Sequence, residues 1–402
     1  MTGRARTQAD RRRRQPSRVV PEGRPDAADL PLDVDRLLDD PEQRIIVCCG
    51  AGGVGKTTTA AALGVRAAER GRKTVVLTID PARRLAQSMG LTELDNTPRP
   101  VTGVEGADGG SLDAMMLDMK RTFDEVVEAH ASPDKAEQIL ANPFYQALSS
   151  SFAGTQEYMA MEKLGQLAAD ADRDGRWDLI VVDTPPSRSA LDFLDAPARL
   201  ASLLDGRFVR VLLAPAKGPA RMFTAGFGMV TNALTKILGA QVLRDVQTFV
   251  AAFDTLFGGF RQRAEKTYAL LQADGTAFVV VATPEPDALR EATYFVERLT
   301  QEEMPLAGLV VNRVTVPAAT ELTAAEAEAA ATHLDESATS ALAGLLRIHA
   351  GRLRMTDRER RLRRRFSGAH PDVATVAVPA LPTDVYDIDG LRNLGELLAK
   401  AG

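Results

Sequence analysis

Cysteine is nearly absent from this chain: its 402 residues include two, Cys48 and Cys49, side by side. Adjacent cysteines cannot build a disulfide framework, and two thiols are too few for a multi-cysteine zinc or iron–sulfur site. Their scarcity points to a reducing compartment and a cytoplasmic protein. Histidine is also sparse. His130, His333, His349 and His370 are scattered without ligand spacing. No apolar run approaches the roughly 18 residues that span a bilayer, so no transmembrane segment is expected. The N-terminus is charged but has no apolar stretch behind it, which excludes a secretory signal. Neither sign of charge dominates. Lys and Arg number 49 against 54 Asp and Glu, a net charge of −5. That mild acidity argues against a dedicated nucleic-acid binder, and none is expected as a partner.

What is present is ordinary globular composition, 45% apolar and 26% charged. A chain of this length buries roughly three quarters of its unfolded surface and needs no staples. Residues 1–35 read differently. They hold eight arginines by Arg24, including Arg11 to Arg14, and four prolines by Pro31. So few large apolar side chains cannot repay the ordering entropy, and the segment is expected to be a disordered Arg/Pro-rich tail. A solvated tail and an arm for acidic surfaces are the two readings of it.

From Arg44 onward strand and helix patterns alternate. Strands are expected at Ile45 to Cys49, Thr74 to Ile79, Met115 to Leu117 and Leu179 to Val182. Further ones are expected at Phe278 to Ala282, Leu309 to Val311 and Val373 to Val378. Continuous apolar strands separated by helices imply an α/β fold, with a mostly parallel sheet covered on both faces. Two intervals, about 120–175 and 200–273, are too long for simple crossovers and are expected to form an inserted α-helical subdomain. Within the second, Val246, Phe249, Val250, Phe253, Phe257 and Phe260 recur at spacings of three and four. Met222, Phe223, Phe227, Met229 and Val230 lie upstream of them. Such a stripe is either the packed face of the subdomain or an adaptable surface for an apolar partner helix. The basic run Asp357 to Arg365 reads as a charged helix. It is either a solvated face with i,i+4 pairs or a docking surface for acidic partners or lipid headgroups.

Gly50 to Thr57 reads GAGGVGKT, a gapless match to the phosphate-binding loop G-x-x-x-x-G-K-[ST]. It follows an expected strand and opens an expected helix, the context the motif requires. Glycines let backbone N–H groups approach phosphate oxygens, and the helix N-terminus adds positive potential. The binding residues are therefore Gly52, Gly53, Val54, Gly55, Lys56, Thr57 and Thr58. Lys56 reaches the terminal phosphates, and the Thr57 hydroxyl ligates Mg²⁺. Leu179 to Val182 ends in Asp183, which suits the carboxylate that supports Mg²⁺ through water. Asp80 closes the strand after the P-loop helix. Its two readings are a helix cap beside Pro81 and a carboxylate that positions attacking water.

Together these elements resemble the ArsA-type ATPases, which include arsenite-pump ATPases and the guided-entry ATPases that deliver tail-anchored membrane proteins. The family's GGVGKTT is met by Gly52 to Thr58, its first switch Asp-Pro-Ala by Asp80 to Ala82, and its second switch Asp-Thr-x-Pro by Asp183 to Pro186. The resemblance implies that Asn312, ending Val310-Val311-Asn312, reads adenine, flanked by Pro379 and Leu381. It also implies a P-loop NTPase domain over 36–402, ATP and Mg²⁺ as cofactors, hydrolysis assisted by Lys56 and Asp80, and a dimer whose geometry follows the nucleotide and controls a partner or client.

Two departures stand out. The family's signature lysine before the Gly-Gly pair is here Ala51, and the second switch continues Ser187-Arg188-Ser189-Ala190 instead of Thr-Gly-His-Thr. Three arrangements answer the first. The chain pairs with a lysine-bearing paralogue; or Arg83, Arg84 or Arg188 supplies the charge in a homodimer; or the chain is a monomer with weak turnover. Arsenite activation requires soft thiolates, and the only thiols sit in an expected buried strand. The alternatives to a self-driven ATPase are an ATP-binding regulatory subunit and the energising subunit of an anion pump. An apolar helix or membrane protein is the kind of client the resemblance suggests.

Overall fold

The computed structural model describes residues 30–79, 84–143, 155–185, 262–336 and 340–400. Positions 92, 93, 105, 107, 108 and 318 within these ranges are excepted, and 145, 146 and 149 are added. In chain order the elements begin with α1 (Val34–Asp39), β1 (Ile45–Gly50), α2 (Lys56–Glu69), β2 (Lys73–Thr78) and α3 (Arg84–Ser88). Next come β3 (Arg99–Pro100), β4 (Ser111–Met116), α4 (Met119–His130), α5 (Pro133–Leu140), α6 (Thr155–Asp174) and β5 (Leu179–Asp183). A helix ending at residue 272 leads into β6 (Thr276–Ala282), α7 (Pro286–Gln301) and β7 (Leu306–Val314). The chain closes with α8 (Ala324–Glu336), α9 (Ser340–Ala369), β8 (Thr375–Pro379) and α10 (Ile388–Lys400).

The strands form one sheet in the order β3-β4-β2-β5-β1-β6-β7-β8. Every pairing is parallel except β3 with β4. All seven expected strands are present. The two-residue β3 is the addition, too short to leave an apolar pattern. Every residue of β1, β5 and β6 is buried, as strands covered by helices on both faces must be. Their Val, Ile and Phe side chains supply the centre of the core.

The expected tail boundary at residue 35 lies too far along the chain. Leu32 N–H donates to the Thr375 carbonyl over 3.0 Å, and Thr375 N–H donates to Leu30 over 2.7 Å. Pro31 thereby pairs beside β8, and Leu32 and Val34 are buried in the core. Those two side chains are enough to anchor the segment, although its average composition is polar. Residues 1–29 lie outside the described residues.

Of the expected helical excursion, α4, α5 and α6 are described. Lys163 of α6 pairs with Glu125 of α4 at 3.1 Å. Glu162 of α6 accepts from Arg263 at 2.9 Å, which joins this part to the helix that ends at residue 272. The Met/Phe stripe from Met222 to Phe260 lies outside the described residues.

Candidate nucleotide site

The P-loop leaves the C-terminal end of β1 at Gly50, where the backbone is squeezed. Gly50 has φ +145°, and a Cβ there would sit 2.1 Å from the Val281 carbonyl oxygen on β6. Gly55, with φ +99°, is the N-cap of α2 and no side chain caps that helix end. Its first-turn N–H groups are therefore left to an anion. Lys56 is 5% exposed and its Nζ donates to the Ala51 carbonyl at 2.7 Å. The ammonium is thus held against the loop that would wrap the phosphates. Ala51 itself is buried.

Sheet order also sets a carboxylate, Asp183, beside the P-loop strand. β5 lies between β2 and β1, and its register sets Asp183 beside both Cys48 and Thr78. Asp183 is fully buried and its Oδ2 accepts from Thr78 Oγ1 at 2.8 Å. Thr184 Oγ1 donates to the Cys48 carbonyl at 2.8 Å, which pins the end of β5 to β1. Thr78 is a partner that sequence reasoning missed. The signal was a hydroxyl at the strand end two residues before Asp80, but its use depends on strand order. Asp80, with Pro81, Ala82 and Arg83, lies outside the described residues, as do Pro186 and Arg188.

Asn312 reaches the P-loop from β7. Its Nδ2 donates to the Val54 carbonyl at 2.9 Å, and its Oδ1 accepts from Arg313 N–H at 2.9 Å. Arg313 adopts φ +61°, a left-handed turn that aims the carboxamide at the P-loop. One Nδ2 proton and one Oδ1 lone pair remain unused by these two bonds. An open cleft of about 570 Å³ adjoins them, lined by Thr57, Thr58, Asn312, Pro379, Leu381 and Tyr386 among others. The volume lies within the usual range for a small-molecule site. Pro379 and Leu381 thus share the cleft with the P-loop threonines. Gln87, Ser88, Arg313 and Tyr386 also line it, and no motif in the sequence marked them.

The hard oxygen donors Thr57 and Asp183 fit Mg²⁺, whereas the two thiols fit no soft metal. Burial pushes the Cys48 thiol well above its ordinary range, with the nearby Asp183 charge adding to the effect. Burial likewise pushes Cys49 up to about 12. Both are protonated at neutral pH, and thiolate is the ligating form.

The family model described as anion-transporting ATPase matches residues 43–334, from β1 to within α8. The chain belongs to the anion-transporting ATPase family. It is 23% identical to ATPase get3 of Schizosaccharomyces pombe over 372 residues, covering 92% of this chain and 95% of that protein. It is 28% identical to ATPase ARSA2 of Chlamydomonas reinhardtii over 72% of this chain and 74% of that protein. The arsenical pump-driving ATPase of Acidiphilium multivorum is 30% identical over 39% of this chain and 26% of its own length. As a member of the anion-transporting ATPase family the chain is an ATP-binding ATPase with a mostly parallel α/β sheet. No helix among the described residues is long and apolar enough to cross a membrane.

Proposed function

We propose that this chain is a cytoplasmic Mg²⁺-dependent ATPase whose nucleotide state sets the geometry of a dimer and, through it, the binding of a partner or client. The observation that carries the reading is convergence. The end of the P-loop and Asn312, from separate stretches of sequence, line one cleft, and strand pairing sets Asp183 beside Cys48, two residues before the loop begins.

In this reading the P-loop N–H groups from Gly52 to Thr58 cradle the phosphates. Lys56 exchanges its bond to the Ala51 carbonyl for the β- and γ-phosphate oxygens. Thr57, and Asp183 through water, would hold Mg²⁺, which would supply charge neutralisation at those phosphates. Asp80 orients the attacking water. Asn312 offers its unused donor and acceptor to the adenine edge, while Pro379 and Leu381 flank the ring. Protein groups here act by position and charge, which is most of what phosphoryl transfer asks of them.

Ala51 favours a heterodimer with a lysine-bearing paralogue. A lysine supplied in trans acts on the partner's phosphates, so its loss here weakens the partner's site first. The second reading is a homodimer in which an arginine provides that charge. Steady-state ATP turnover measured across protein concentration separates them, with Lys56→Ala as control. Turnover per molecule that rises with concentration supports the homodimer. Tight Mg-ATP binding with negligible turnover throughout supports the heterodimer. Unchanged ATP affinity and turnover in Lys56→Ala would sink the P-loop assignment itself.

The client class is part of the same proposal. An apolar helix or a membrane protein is the expected cargo, because the Met/Phe-rich stretch from Met222 to Phe260 has the composition of an adaptable apolar surface. An arsenite-driven role is disfavoured by the two buried, protonated thiols.

A further inference from the structure

Tyr386 is the most exposed large apolar side chain among the described residues, at 68%, and it lines the cleft beside the P-loop. The chain around it is not loose. Ala380 N–H donates to the Val314 carbonyl at 2.9 Å, which ties the start of the segment after β8 to the end of β7. Val385 packs against the core. Asp387 Oδ1 accepts from Gly390 N–H at 2.8 Å in the first turn of α10. Tyr386 lies between these two anchored neighbours, so its backbone is held while its ring stays uncovered. Among the described residues its hydroxyl has no hydrogen-bond partner and its ring no aromatic neighbour. A single apolar side chain on a surface needs no explanation. A flat ring on an anchored backbone in a ligand cleft is a prepared platform, and fixing it costs only two side-chain torsions.

The other lining residues narrow what the platform receives. The P-loop contributes Gly55, Thr57 and Thr58 to the cleft, next to the helix N-terminus that attracts phosphate. Asn312 offers one unused amide proton and one unused lone pair, which suit the edge of a base. Edge contacts orient a base in its plane and leave both its faces to be covered. Pro379 and Leu381 are half-buried and aliphatic, and they can cover one face. Tyr386 is the only aromatic side chain among the described residues of the cleft. Aromatic rings stack on bases because every base has a π-face, and a purine offers the larger one.

We propose that Tyr386 is the base-stacking residue of this cleft, covering the face that Pro379 and Leu381 leave open and favouring a purine over a pyrimidine. The proposal rests on the nucleotide reading of the cleft and adds the residue that selects the class of base.

The test is calorimetric titration of the full chain with Mg-ATP, Mg-CTP and Mg-tripolyphosphate, the last carrying phosphates without a base. Tyr386→Ala is expected to weaken ATP about tenfold, the order of one base–aromatic stack. CTP is expected to lose less, and tripolyphosphate nothing. Tyr386→Phe keeps the ring and is expected to bind ATP like the parent, whereas Tyr386→Leu, apolar but not flat, is expected to follow the alanine variant. The position is exposed, so unchanged melting temperatures show that the fold survives. Parental ATP affinity in Tyr386→Ala overturns the proposal and leaves the nucleotide reading standing. So does an equal loss for ATP and tripolyphosphate, which would make Tyr386 a support for the loop. A loss in Tyr386→Phe as large as in Tyr386→Ala would put the contact on the hydroxyl and likewise overturn stacking. Loss of ATP binding in Arg313→Ala but not in Tyr386→Ala would place the base on that guanidinium instead. A parent that binds neither ATP nor tripolyphosphate brings down the nucleotide reading itself, and this proposal with it.

Discussion

The Asn312 carboxamide is bonded to the Val54 carbonyl at 2.9 Å, so the end of β7 is tied directly to the crest of the P-loop. The tie explains why residue 55 is glycine. A Cβ at Gly55 would meet Asn312 Nδ2 at 2.3 Å. It also means that one side chain shapes the phosphate loop and borders the cleft. Asn312→Ala is therefore expected to lower ATP affinity about tenfold, or about 1.4 kcal/mol, and to erase most discrimination between ATP and GTP. Calorimetric titration with both nucleotides checks this. An equal loss for ATP and GTP would leave Asn312 as a scaffold for the loop and remove its role at the base.

Asp183 and Thr78 make a second pair with separable consequences. The carboxylate is fully buried beside the P-loop strand and takes a hydrogen bond from the threonine hydroxyl. Thr78→Val removes a donor to a charged group, expected to cost about 1.5–3 kcal/mol of stability and to raise the Mg²⁺ concentration needed for half-maximal turnover. Asp183→Asn keeps the shape and is expected to cut turnover about a hundredfold, with a smaller effect on binding of Mg-free ATP. A Mg²⁺ titration of turnover in both variants is the measurement. Wild-type Mg²⁺ dependence in Asp183→Asn would refute the metal-supporting role.

The P-loop was legible from sequence because its chemistry is local: a run of eight residues encodes its own backbone shape. Asp183 was legible because an apolar strand ending in aspartate is a local pattern too. Thr78 was not, because its partner is set by β5 pairing between β2 and β1, which no local pattern reports. The same holds for Gln87, Ser88 and Tyr386, which line one cleft with Asn312 only in the folded chain. The start of the fold was misjudged for the opposite reason. Averaging over a polar segment hid Leu32 and Val34, two side chains buried by long-range contacts, Leu32 beside the edge of β8 and Val34 on α1. Asp80 and the Met/Phe stripe lie outside the described residues, so their readings rest on sequence and resemblance.

His370, at the end of α9, gives a prediction in pH. Its ring lies 4.9 Å from that of Phe366, and its buried Nε2 has no hydrogen-bond partner. Burial lowers its pKa below the ordinary 6.5, opposed by the Glu297 charge. The unfolded chain therefore binds the proton more readily than the native state. The stability linked to this group is complete above about pH 6.5 and is lost as pH falls through the lower, folded value. His370→Leu is expected to flatten the dependence of melting temperature on pH below about 6.5 and to leave it unchanged at pH 8. Parallel curves for parent and variant would show that another group carries the acid sensitivity.

Glu359 offers a test of how firmly α9 is coupled to the nucleotide cleft. Its carboxylate holds both the backbone N–H and the hydroxyl of Thr315, three residues beyond Asn312 and two beyond the left-handed turn at Arg313. Thr356 adds a bond to the Thr315 carbonyl at 3.3 Å. Glu359→Ala strips the half-buried Thr315 N–H of its acceptor and is expected to cost about 1–2 kcal/mol. Glu359→Gln keeps one acceptor oxygen and is expected to recover about half of that. If the clamp also fixes the Arg313 turn, Glu359→Ala raises the KM for ATP severalfold while kcat changes little, because the phosphates are held elsewhere, and Glu359→Gln restores most of it. A loss of stability with KM unchanged would confine Glu359 to anchoring the helix. A fall in kcat at constant KM would contradict the placement of Asn312 on the base side of the cleft.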